Sequence, residues 1–222
     1  MHPTYASNFG ARQVTMPDPR GLRLLLARHG ATAWNEAGRY QGRADEGLSQ
    51  RGQAQATQLG QWLSDETPEI VLHSGARRTA ETLARALPQH QAISDPRWRE
   101  IDHGEWEGLT YRQVLDQAPE QARAHWNDPL HIPAPQGETL ITVAERVQAA
   151  TNDLITNYAG RSVLLVAHAT SLQVLCCQLF QTPLKLYWQW KFDLGSLSCL
   201  ELYQSGTIIN WLNRGYTRPA SC

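Results

Sequence analysis

Leu22-Arg23-Leu24-Leu25-Leu26-Ala27-Arg28-His29-Gly30 is the stretch that decides the fold of this chain. An apolar run closed by a glycine reads as a buried strand that turns sharply at its end. Its last residues bring a guanidinium fork, an imidazole and a closely approachable backbone to one point, a combination suited to holding a phosphoryl group. The stretch Ser162-Val163-Leu164-Leu165-Val166-Ala167 repeats the pattern and runs straight into His168. A shorter run at 69–73 leads through one tight turn to Arg77-Arg78, at the start of a helical segment. The N-terminus of a helix favours anions.

Working outward, helical periodicity alternates with these runs. A helix is expected at 49–63, with Ser49 as N-cap and Ala54, Leu59 and Leu63 turned inward. Another is expected at 76–87, stopped by Pro88, and two short ones at 111–118 and 119–126. The clearest is 139–158, where Leu140, Val143, Ala144, Val147, Leu154 and Tyr158 follow a period of about 3.6. A last helix is expected from 171 to 180. Ala92 and Ile93 suggest a brief strand, and 196–203 and 207–212 alternate like two strands joined by Gln204-Ser205-Gly206. Segments 95–108 and 129–137 read as loops.

This order implies an α/β fold: a single three-layer α/β/α domain with a mostly parallel central sheet. Residues 95–137 form a small helical cap over its mouth. Trp98, Trp106, Trp126 and His125 are candidates for the lining of that cap, although packing is the commoner use of tryptophan. Residues 1–20 read as a flexible N-terminal extension, 21–212 as the domain and 213–222 as a tail. In open α/β sheets, ligands bind beyond the carboxyl ends of the strands. Neighbouring strands lie ~4.8 Å apart, so His29 and His168 can face one ligand from opposite sides.

At 222 residues the chain is long enough to bury a substantial core. Its formal net charge of -1 argues against a nucleic-acid binder that works by bulk electrostatics. No run approaches the ~20 apolar residues of a membrane span, and the start lacks a secretory signature. Cys176, Cys177, Cys199 and Cys222 have no CxxC spacing, so neither a zinc site nor a disulfide framework is suggested. A soluble, cytoplasmic chain without nucleic-acid or membrane partners is expected. Only Lys185 and Lys191 are lysines; the other cations are arginines, which suit bidentate phosphate recognition. Trp188, Trp190 and Trp211 with the terminal strands offer a homodimer face as readily as they offer burial within one chain.

No GxSxG elbow, GxxxxGK[ST] loop, GxGxxG fingerprint or HExxH pair occurs. A metal between His29 and His168 would lack a neighbouring carboxylate and would be repelled by the arginines, so no metal or other cofactor is expected. Phosphoryl transfer uses these residues better. It needs an in-line nucleophile, positive charge around the oxygens and a proton for the leaving group. Neutral His29 suits the nucleophile, and Arg28, Arg78 and His168 suit the oxygens. The acid is sought among Glu100, Asp102, Glu105 and Glu107; spacing leaves the choice open, and three of the four are expected to be solvated loop charges. A non-catalytic binder of phosphorylated ligands would need the arginines alone.

The segment Leu25-Leu26-Ala27-Arg28-His29-Gly30-Ala31-Thr32-Ala33-Trp34-Asn35 resembles the opening motif of the histidine phosphatase superfamily, the phosphoglycerate mutase-like proteins. The likeness continues through Arg39-Tyr40-Gln41-Gly42, Leu48-Ser49-Gln50-Arg51-Gly52-Gln53-Ala54 and Ser74-Gly75-Ala76-Arg77-Arg78-Thr79-Ala80-Glu81-Thr82. It extends through Glu100-Ile101-Asp102-His103-Gly104-Glu105-Trp106-Glu107-Gly108, Pro135-Gln136-Gly137-Glu138 and Val166-Ala167-His168. It spans about residues 22–212.

The resemblance implies a phosphoglycerate mutase-like fold and assigns roles. His29 matches the phosphorylated histidine, Arg28 and Arg78 the phosphate arginines, His168 the second histidine and Glu100 the proton donor. Thr32, Asn35, Gln41 and Gly42 match the loop on the substrate side. Ser74 matches a residue of structural or supporting role. Ala169 joins the substrate-binding set at a position where the family usually has glycine. Ser74-Gly75-Ala76 also departs from the family's commoner serine followed by Ser, Asp or Pro.

The Gly-x-Trp-Glu-Gly segment and Arg39-Tyr40-Gln41-Gly42 look like the phosphatase branch. Metal-independent hydrolysis of a small phosphorylated metabolite is therefore expected ahead of phosphoglycerate mutase activity. Relatives with such motifs act on sugar and sugar-acid phosphates, α-ribazole phosphate, phosphoserine and 3-phosphoglycerate.

Overall fold

The computed structural model describes residues 21–215. The extension expected at 1–20, the end of the expected tail and Cys222 lie outside them. Among the described residues, six strands form one sheet in the order β3-β2-β4-β1-β5-β6. They are β1 (Leu22–Arg28), β2 (Ile70–His73), β3 (Ile93–Ser94), β4 (Ser162–Ala167), β5 (Leu197–Tyr203) and β6 (Gly206–Arg214). β1, β2, β3 and β4 run parallel, whereas β5 and β6 are antiparallel to their neighbours.

Strand alternation builds the three layers. Leu22, Leu24 and Leu26 of β1 enter one apolar cluster, while Leu25 and Ala27 enter the other. β4 divides in the same way, with Val163, Leu165 and Ala167 on one face and Leu164 and Val166 on the opposite one. The first cluster is closed by α6 (Leu140–Tyr158) and α7 (Ala169–Leu179), and the second by α2 (Gln50–Leu63) and α3 (Arg77–Ala86). A strand buried on both faces has no polar positions to spare, so β1 and β4 read as continuous apolar runs. α6 buries Leu140, Val143, Val147 and Leu154, as its periodicity predicts.

Several expectations change. α7 begins at Ala169, not at 171, because Ser171 Oγ accepts from the His168 amide at 3.3 Å and donates to the His168 carbonyl, capping the helix directly behind the histidine. β6 runs on to Arg214, past the expected end of the domain at 212. On α2, Ala54 is exposed while Gln55 and Ala56 are buried. Gln55 is drawn inward because its Oε1 accepts the Ala31 amide at 2.8 Å. The one-turn helix α1 (Ala33–Glu36) and a 3-10 helix at Leu184–Gln189 carry no periodic signal and were not anticipated. The segment 95–108 contains two 3-10 turns, Pro96–Trp98 and Gly104–Trp106.

The cap has a small core of its own. Trp106, Val114, Ala122 and Ala134 cluster between the second of those turns, α4 (Tyr111–Gln117) and α5 (Pro119–Asn127), with Tyr40 and Trp126 packed against them. Trp98 belongs instead to the main core, 1% exposed. Trp98 and Trp106 are both buried in these clusters and serve packing. Among the described residues no helix is long and apolar enough to cross a membrane.

Candidate active site

His29 and His168 follow β1 and β4, which are adjacent and parallel with Arg28 opposite Ala167 in register. The two imidazoles therefore meet, their ring centroids 5.1 Å apart. His29 Nδ1 lies 2.7 Å from the Gly30 carbonyl. A carbonyl can only accept, so Nδ1 carries the proton and Nε2 holds a lone pair. Burial, reinforced by the positive charges of Arg78 and Arg28, holds the His29 pKa well below the usual histidine range. The ring is thus neutral, with the Nε2 lone pair turned towards the Nε–H of Arg78.

Gly30 is demanded by sterics. A Cβ there would lie 2.5 Å from the Gly52 carbonyl oxygen, and one on Gly52 would lie 2.0 Å from that of Ala31. The paired glycines let the loop after β1 press against the first turn of α2. The loop is tied further by the Gly30 amide, which donates to Thr82 Oγ1 at 3.1 Å.

Arg78, at the start of α3, is 1% exposed. A buried cation is tolerated only when its donors are satisfied. Its Nη1 and Nη2 donate to the carbonyls of Ala44 and Gly42 at 2.9 and 2.8 Å. Its Nε–H points between His29 Nε2, at 3.3 Å, and His168 Nδ1, at 3.2 Å. One guanidinium thus clamps the 42–44 loop and faces both imidazole lone pairs. Arg28 is half-buried; its Nη1 donates to the Phe192 carbonyl at 2.8 Å, and its Nε is buried without a partner.

Glu100 is 7% exposed. Its Oε1 accepts the Ile101 amide at 2.9 Å and the Thr170 amide, in the first turn of α7, at 3.1 Å. The structure separates the four candidate carboxylates. Glu107 binds the amides of Arg43 and Ala44, Asp102 accepts the Gly104 amide, and only Glu105 is an exposed loop charge. The expectation of three solvated charges therefore holds for one. The reason is that the 42–44 and 102–104 backbones need acceptors that no strand supplies.

Glu100 and His168 share a cavity of about 180 Å³, whose lining also includes Arg43, Asp45 and Arg99. A larger hollow of about 480 Å³ includes Leu22 and Leu202 in its lining, and Leu22 opens β1 at the end opposite His29. Ala169, first residue of α7, is half-buried beside His168. Gly42 allows close approach, since a Cβ there would lie 2.2 Å from the Ile101 carbonyl.

Thr32 and Asn35 form a reciprocal cap on α1, and Thr32 Oγ1 donates to Gln41 Oε1 at 2.7 Å. The Gln41 Nε2 is buried with no partner. The expected substrate loop is thus braced internally, with one amide group unsatisfied.

Sequence reasoning gave Ser74 no stated contact. Its Oγ lies 2.7 Å from His168 Nε2 and 3.1 Å from Thr79 Oγ1. The signal was its place directly after β2, the neighbour of β4. Arg43 and Arg99 were also missed, because lone arginines in loops have no distinguishing pattern. His168, like His29, is held well below the usual range by burial and Arg78. Among the described residues, no group of three or more His, Cys, Asp or Glu side chains is placed to hold a metal ion.

The family model described as histidine phosphatase superfamily (branch 1) matches residues 24–215. Phosphoserine phosphatase 1 of Hydrogenobacter thermophilus is 31% identical over 194 residues, covering 86% of this chain and 92% of that protein. Glucosyl-3-phosphoglycerate phosphatase of Mycolicibacterium vanbaalenii is 32% identical over 192 residues, covering 82% and 84%. Among solved structures, the α-ribazole phosphatase of Shigella flexneri superposes with a TM-score of 0.80 at 29% identity, over 88% of this chain and all of that one. The mycobacterial glucosyl-3-phosphoglycerate phosphatase in complex with VO3 gives 0.78 at 28% identity, over 87% and 99%.

Proposed function

The chain belongs to the histidine phosphatase superfamily, branch 1, and from that premise we propose that it hydrolyses small phosphorylated metabolites through a phosphohistidine formed on His29. Relatives named as phosphatases of phosphoserine and of glucosyl-3-phosphoglycerate support a small-metabolite phosphomonoesterase. The observation that carries the step is the tautomer of His29. With Nδ1–H committed to the Gly30 carbonyl, Nε2 is the only ring nitrogen that can attack.

In the first half-reaction the His29 Nε2 lone pair forms a bond to phosphorus as the P–O bond to the alcohol breaks. Protonated Glu100 gives its proton to the departing oxygen. Arg28, Arg78 and His168 bear the charge on the remaining oxygens. In the second, water attacks phosphorus, ionised Glu100 takes its proton, and the P–Nε2 bond breaks to release phosphate. Proton and phosphoryl group are both conserved, and the site returns to its starting form.

The test is hydrolysis of para-nitrophenyl phosphate in the presence of EDTA, with mass spectrometry of protein quenched during turnover. The expected result is a vanadate-inhibited reaction and a phosphoryl adduct on His29. His29→Ala should lose both, with turnover falling by at least about a thousandfold, as for removal of other catalytic nucleophiles. Ordinary turnover by that variant, or an adduct elsewhere, overturns the reading.

A further inference from the structure

The ionisable groups around the cavity beside Glu100 are not equivalent. Arg43 is engaged by Glu138 at 3.1 Å and Asp102 at 3.7 Å. Asp45 accepts the amide of Arg77 at 2.9 Å. Glu100 holds the amides of Ile101 and Thr170, and His168 lies between Ser74 and Arg78. Among the described residues, Arg99 alone of these ionisable groups has a side chain with no hydrogen bond or ion pair.

Its mounting is nevertheless rigid. Trp98 is locked in the main core, and Glu100 is buried in the site. The guanidinium of Arg146 donates to the carbonyls of Arg97 and Arg99 at 2.7 Å each and to that of Glu100 at 3.1 Å. Arg146 is itself paired with Glu138 at 3.1 Å. The extended backbone at Arg99, with φ -60 and ψ 157, sends one residue into the core, the next to the cavity rim and the third into the site. Here the backbone is pinned by three hydrogen bonds, while the side chain of a residue that lines the cavity with Glu100 keeps its donors unspent among the described residues.

Resting on the phosphatase reading above, we propose that Arg99 binds a carboxylate on the alcohol part of the substrate, so that small phosphorylated hydroxy acids are the preferred class. A planar guanidinium matches a carboxylate through paired N–H donors, which gives orientation as well as attraction. The cavity, about 180 Å³, is smaller than the ~300 Å³ and upward of ordinary small-molecule sites. That volume suits an alcohol of a few heavy atoms. Arg99 directly precedes Glu100 in the chain and lines the same cavity, so a cation and the carboxyl group that serves the bridging oxygen border one space.

The test compares matched substrates. 3-Phosphoglycerate and glycerol 3-phosphate share a three-carbon frame and differ in carboxylate against hydroxymethyl; O-phosphoserine and phosphoethanolamine repeat the contrast. The native enzyme should favour the carboxylate member of each pair by at least about tenfold in kcat/KM, the scale of a hydrogen bond to a charged group. Arg99→Gln should collapse that ratio chiefly through KM, and Arg99→Lys should restore part of it. Hydrolysis of both pairs without preference, or equal slowing of both members by Arg99→Gln, overturns the role of Arg99 and leaves the phosphatase reading standing. Failure to hydrolyse any of these four and para-nitrophenyl phosphate overturns both.

Discussion

Ser74 Oγ lies 2.7 Å from Nε2 of His168, and this contact decides which nitrogen of the second histidine faces Arg78. Thr79 Oγ1 donates to the Ala76 carbonyl at 2.7 Å. Its proton is thereby spent, so Ser74 donates to Thr79 and accepts from His168 Nε2–H. The Nδ1 of His168 is left as a lone pair, 3.2 Å from the Nε of Arg78. To donate to a phosphoryl oxygen, Nδ1 must first carry a proton, moved there by tautomer exchange or added to the ring.

Ser74→Ala should therefore affect chemistry more than binding. Loss of the acceptor leaves His168 Nε2–H unpaired in the interior, at a cost of ~1–3 kcal/mol, and frees the ring to change tautomer. A fall of about tenfold or more in kcat, a displaced pH profile and recovery by Ser74→Thr are expected from steady-state kinetics. An unchanged pH profile would reduce Ser74 to a packing residue.

Glu100→Gln keeps shape and the amide contacts but removes the transferable proton. Alkyl phosphates, whose alkoxides leave poorly, should slow by about 10²–10⁴. Para-nitrophenyl phosphate should slow much less, because its phenolate needs little protonation. The slope of log kcat/KM against leaving-group pKa reads this directly, and an equal loss for all substrates would take the acid role from Glu100.

Arg78→Lys preserves charge but not the fork. One ammonium cannot reach the Gly42 and Ala44 carbonyls and the two imidazoles together. Transition-state stabilisation should fall by ~2–4 kcal/mol, the scale of one lost charge-directed donor. Hydrogen exchange at the 42–44 loop should also accelerate. Near-native kinetics in the variant would show that charge alone suffices.

Stability should depend on pH through the buried histidines. Burial holds His29 and His168 below their unfolded value of about 6.5, with His73, His103 and His125 lowered in the same direction. Below that value the unfolded chain binds protons that the folded chain refuses, so stability is lost as pH falls. Each such group contributes up to ~1.4 kcal/mol per pH unit. The urea midpoint should be flat above about pH 7 and drop towards pH 5, and His29→Asn with His168→Asn should make the drop shallower. Equal slopes would mean that the two rings are already charged in the fold.

Much of this was legible in the residues. β1 and β4 were readable because strands buried on both faces must be apolar throughout, and Ser49 because a helix start needs a side-chain acceptor. His29, Arg78 and His168 were readable because each follows such a strand at a turn. The start of α7 was misjudged because its cap is a histidine, a residue with no capping signature. The inward turn of Gln55 was missed because an amide is drawn inside by a partner, Ala31, that lies on another element.

By itself the sequence determined most of the element types, the apolar core and the residues with charged or imidazole side chains at strand ends, since these follow from local periodicity and side-chain chemistry. Only the tertiary structure decided the strand order that seats His29 beside His168, the tautomer of each ring, the division of labour among four nearby carboxylates and the unpaired state of Arg99. Those depend on which distant group offers the complementary donor or acceptor. A hydrogen-bonding partner is a property of position in space, and spacing along the chain does not encode it.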